Sequence, residues 1–149
     1  MRHRLHCTVP FAGTAAQADA RIERYLAARR DSHGVTRVEL RVPLEGVAPV
    51  RGLALEHCVR VDACRGRDDQ NLNDVIRMAW APEGGGPFPR FEGTLVTFAR
   101  SDEPDTSEIE LDGWYEPPLG DAGELFEETV GHAIAERTAR ALLEEVARG

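Results

Sequence analysis

Three side chains carry chemistry in places where the surrounding pattern is apolar. His57 falls mid-strand, on the face it shares with Leu55, Val59, Val61 and Ala63. A neutral imidazole there, near Tyr115, is a candidate general base or a hydrogen-bond anchor for a carbonyl ligand. The plainer alternative is a satisfied core histidine. Arg137 is the second. At roughly 100° per residue it falls among Phe126, Val130, Ala133, Ile134 and Ala141, at the centre of a helix's apolar face. An unpaired guanidinium is costly to bury. It therefore reaches a rim or meets an anion, either Asp74 or a ligand carboxylate or phosphate. Tyr115 is the third, an inward residue able to polarise a carbonyl.

Other groupings read as structural. His132, Glu136 and Arg140 stand at i, i+4 and i+8, a polar ladder along one helix flank. His3 and Cys7 share one strand face and His6 takes the other, which does not assemble a metal site. Asp68, Asp69, Asp74 and the Asp102-Glu103-Asp105 turn lack the spacing of a calcium loop. There is no GxxxxGK, GxGxxG, HExxH or GxSxG. All 18 basic residues are arginine, which removes Schiff-base lysine chemistry and fits the coding bias of a GC-rich bacterial genome. No cofactor and no metal are expected.

The elements that position these groups follow from periodicity. Arg4–Val9 alternates as a strand, and Pro10-Phe11-Ala12-Gly13 is expected to break it. Thr14 caps a helical segment over about Ala15–Arg30. Strands follow over Val35–Leu44, Leu53–Cys64, Leu72–Trp80, Phe91–Ala99 and Ser107–Glu116. Arg65-Gly66-Arg67-Asp68-Asp69 reads as the loop of a hairpin. The alternation of Phe91–Ala99 is ambiguous, because Phe91 and Leu95 oppose Val96 and Phe98. Pro117, Pro118 and Gly120 then lead into a long final helix, with Asp121 as N-cap and Glu124 as its capping-box partner. Consecutive strands without strand–helix alternation predict an α+β class with an antiparallel meander.

With 149 residues, one domain spanning 1–149 is expected. No apolar run approaches the roughly 18 residues of a membrane span, and the start MRHRLHCTVPF lacks a signal-peptide core, so a cytoplasmic location is expected. Residues 1–100 carry 15 Arg against 12 acids, whereas residues 101–149 carry 3 Arg against 14 acids. An acidic half of this kind disfavours nucleic acid as a partner. Cys7, Cys58 and Cys64 read as reduced thiols.

The run Phe91-Glu92-Gly93-Thr94-Leu95, the acidic turn, Gly113-Trp114-Tyr115-Glu116-Pro117-Pro118-Leu119-Gly120 and the long helix after it resemble the START-like (SRPBCC) superfamily. This is the polyketide-cyclase/dehydrase and lipid-transport group with the Bet v 1-like helix-grip fold. The resemblance is best over about residues 88–149. It implies a curved antiparallel sheet, here of about six strands where seven are usual, gripping the C-terminal helix. It also implies a short helical segment after the first strand and a hydrophobic cavity between sheet and helix. No catalytic residue is shared across that family.

The expected wall of the cavity is Val59, Ile76, Met78, Trp80, Phe91, Leu95, Leu111 and Tyr115 from the sheet, with Phe126, Val130, Ile134 and Ala141 from the helix. The leading expectation is a binder of a hydrophobic, lipid- or polyketide-like molecule, oriented by His57, Tyr115 or Arg137. A cyclase or dehydratase using the same pocket is the second. The third is a ligand-free interaction protein or homodimer that uses an exposed sheet face including Trp114 and Phe98.

Overall fold

The computed structural model describes residues 2–45, 54–67, 74–84, 89–103, 105–116 and 128–149, the last span with side chains from 131. Among the described residues, six strands and two helices follow in the order β1 (His3–Ala12), α1 (Ala15–Ala28), β2 (Thr36–Pro43), β3 (Ala54–Arg67), β4 (Asp74–Pro82), β5 (Arg90–Ala99), β6 (Thr106–Glu116) and α2 (Glu128–Arg148). The strands form one antiparallel sheet in the order β1-β6-β5-β4-β3-β2. β1 and β2 are its two edges. α2 packs against both edges at once, which a flat six-stranded sheet would not allow. The sheet therefore curls around the helix as a half-barrel. α1 lies on the same inner face, against β5, β6 and α2.

Strict alternation built the sheet. In β6, Ile109, Leu111 and Tyr115 point inward and are buried, while Trp114 stays outside. β5 resolves the same way: Phe91 and Leu95 face in, and Phe98 is exposed. At the centre of the curl, Gly93 of β5 sits opposite Gly113 of β6. A Cβ on Gly113 would lie 2.6 Å from the Gly93 Cα and 2.8 Å from the Phe91 ring, and it would also meet the Glu92 carbonyl. Two glycines are needed there because the strands close up and the Phe91 ring folds over the gap.

Several expectations are corrected. β1 does not end at Pro10; it pairs through Pro10, Phe11 and Ala12 with Glu108, Ser107 and Thr106. An edge strand tolerates the missing N–H of proline. β3 runs on through Arg65, Gly66 and Arg67, which pair with Ile76, Val75 and Asp74, so these three are strand and not loop. α1 ends at Ala28, two residues early. Its cap is Thr14 as expected, and Gln17 completes a capping box. Asp121, Glu124 and the turn at Pro117–Gly120 lie outside the described residues.

The buried seam of α2 is the largest correction. It consists of Ala135, Ala139, Leu142, Leu143 and Val146, with Thr138 and Ile134 also buried. Arg137 is not its centre. It is half-buried at the flank, because the leucines of the second half of the helix set the face. Phe126 and the side chain of Val130 lie outside the described residues. Ala141 is partly buried against the core.

Candidate functional site

Neighbouring strands bring three inward aromatic rings together. Trp80 of β4 pairs with Phe91 of β5, and Phe91 with Tyr115 of β6. The Trp80 and Phe91 rings stack, with centroids 4.2 Å apart and planes 20° from parallel. The wall continues along the same face through Met78, Ile76, Leu95, Leu111 and Val59. All eight of these sheet residues are 4% exposed or less.

A polar pair is set into this wall. The Tyr115 hydroxyl lies 3.2 Å from His132 Nδ1, on the first turns of α2. His3, at the start of β1, also stacks on the Tyr115 ring, with centroids 5.2 Å apart. Register explains this, since His3 is directly opposite Tyr115. His132 stands seven residues before Ala139, within about 20° of it around the helix, so it turns toward the sheet. The polar ladder of His132, Glu136 and Arg140 therefore breaks at its first member: Glu136 and Arg140 are exposed and His132 is not. Helical geometry carried the signal for this pair, but only once the seam was centred on Ala139 in place of Arg137.

The three chemistry-bearing residues named from the sequence do not converge. His57 shares the inner face with Val59 and sits opposite Leu40 of edge strand β2. β4 and β5 separate its strand from that of Tyr115. It is half-buried, and burial holds its imidazole below the ordinary histidine pKa, favouring the neutral form. Arg137 donates from Nη1 to the Pro43 carbonyl at 3.0 Å, so it caps the end of β2 at the rim. Asp74 is not its partner; that carboxylate is exposed, 4.0 Å from Arg67.

Outside the sheet, charges pair across strands. Arg4 meets Asp112 at 2.8 Å, Arg2 meets Glu92 at 2.9 Å and Glu116 at 3.1 Å, and His6 meets Glu110 at 3.0 Å. Trp114 is 45% exposed beside Arg4, whose guanidinium lies 5.9 Å from its ring centre. The cysteines are free, with Cys7 buried, Cys58 half-buried and Cys64 exposed. Among the described residues no three His, Cys, Asp or Glu side chains gather as a metal site. No described helix is long and apolar enough to cross a membrane.

No protein-family model matches the chain, and no curated protein sequence does. A solved structure does match. The Zhui aromatase/cyclase from Streptomyces sp. R1128 superposes with a TM-score of 0.53 at 16% identity, covering 99% of this chain and 93% of that one. The two proteins thus share a fold, a curled antiparallel sheet around a C-terminal helix, matched over 99% of this chain.

Proposed function

We propose that this protein binds a hydrophobic small molecule of lipid or polyketide type between the inner sheet face and α2. One observation carries the reading: the Tyr115–His132 pair is set into a wall that is otherwise aromatic and aliphatic. Pockets that orient apolar ligands use this composition, a large apolar lining with a few convergent polar groups. Apolar burial supplies the affinity, and hydrogen bonds from Tyr115 and His132 to a ligand oxygen supply the orientation. Stacked Trp80 and Phe91 suit a flat ring system. The likeness to a protein titled an aromatase/cyclase supports the ligand class through the shared fold.

The same pair favours a second reading, a cyclase or dehydratase. There a base takes a proton from a carbon between two carbonyls, and the resulting enolate carbon attacks a second carbonyl. The oxygen of that carbonyl receives a proton from Tyr115, and water is then lost. His132 is the base in this scheme.

A titration with a hydroxylated anthraquinone tests the binding. Trp80 and Trp114 are the two tryptophans, so Trp114→Phe leaves Trp80 as sole reporter. Saturable quenching of Trp80, weakened about fivefold to tenfold by His132→Gln, is expected. Absence of saturable quenching would refute the site. Turnover of a poly-β-ketone by the wild type but not by His132→Gln, with binding retained, selects the enzyme reading.

A further inference from the structure

A separate recess of about 270 Å³ lies beneath α1, at the opposite end of the inner face from His132. Its floor is Ile22 and Leu26 of α1 against Val61 of β3 and Ile76 of β4, all four buried. Its mouth is open: Glu23, Ala27, Arg30 and Arg65 line it and are exposed. Arg65 is already committed. It pairs with Glu23 and, at 3.1 Å, with Asp19, both on α1, and these contacts hold the helix over β3. Arg30 has no carboxylate at ion-pair distance among the described residues. The recess thus combines an apolar floor with one uncommitted guanidinium at its rim.

We propose that the recess beneath α1 binds a medium-chain alkanoate. The chain lies on Ile22, Leu26, Val61 and Ile76, and Arg30 takes the carboxylate. Octanoate, a short straight-chain carboxylate, is the probe suited to a recess of about 270 Å³. The inference rests on the apolar-ligand reading above and adds a location and a head-group preference.

Calorimetric titration with octanoate reads the recess. Octanoate binds saturably, and octanol binds about fivefold more weakly. Arg30→Gln removes the difference between the two. Ala27→Trp, a change at an exposed helix position, plugs the mouth and abolishes octanoate binding while circular dichroism stays unchanged. No saturable binding at ~10 mM octanoate overturns the recess. So does octanoate binding that persists in Ala27→Trp. The inner site is read independently: anthraquinone quenching of Trp80 without octanoate binding removes the recess and leaves the binding function standing.

Discussion

Tyr115 and His132 define the residue scale, and the two were unequally legible. Tyr115 was fixed by clean alternation in Ser107–Glu116. His132 was assigned to a polar flank, because the apolar face of the helix was centred on Arg137. Ala and Leu at 135, 139, 142 and 143 contribute more buried area than Ala133 and Ala141, and that area sets the rotation of the helix. His57 yields a prediction of its own. Its folded-state pKa lies below the ordinary value because burial disfavours the imidazolium. The unfolded chain therefore binds more protons, and stability falls as pH drops through about 6.5. His57→Gln removes this dependence. Urea denaturation at pH 7.5 and pH 5.0 should show the wild type losing more stability than His57→Gln on acidification; parallel losses contradict the assignment.

At the scale of elements, the glycine pair and the cap of α2 are the critical joints. Gly113→Ala places a methyl group against the Glu92 carbonyl and the Gly93 backbone, which cannot rotate away. It should cost about 3 kcal/mol or more in chemical denaturation, and a cost under ~1 kcal/mol would mean the strands are further apart than the pairing requires. α2 is tied down at its other end by Arg21 of α1, which donates from Nη1 to the carbonyls of Ala147 at 3.2 Å and Arg148 at 2.9 Å. A cation on the last carbonyls satisfies them and complements the helix dipole. Arg21→Ala is expected to lower stability by about 1–2 kcal/mol and to raise amide exchange in the last turn of α2. Exchange confined to α1 would argue against the cap. Neither joint was visible in the sequence. Arg21 and Ala147 are far apart in the chain, and a glycine in a strand pattern announces a bend without naming its partner. The strands themselves were legible wherever one face is wet, and their ends were missed at Pro10 and Arg65, where edge position and a long hairpin override local breakers.

At the scale of the whole molecule, the acidic second half reads differently once folded. Asp102 and Glu108 face Arg100, Glu110 faces His6, Asp112 faces Arg4, and Glu116 faces Arg2. Part of the segregated charge, at Glu108, Glu110, Asp112 and Glu116, is thus paired between β6 and residues beside it, contacts worth little singly but consistent in register. The order of elements, the antiparallel sheet and the gripping helix were all implied by runs of alternation followed by one long amphipathic segment. The ligand was not implied, because a cavity is a property of how side chains from distant strands fail to meet. Met78 gives the most direct test of the claim that an apolar molecule occupies the inner face. Met1 and Met78 are the only methionines, and Met78 is 2% exposed on the inner wall. In protein labelled with ¹³C at the methionine methyl groups, a hydroxylated anthraquinone should shift the Met78 signal saturably and leave Met1 in place. A Met78 signal that stays fixed while the ligand is shown to bind elsewhere, or not at all, contradicts the account.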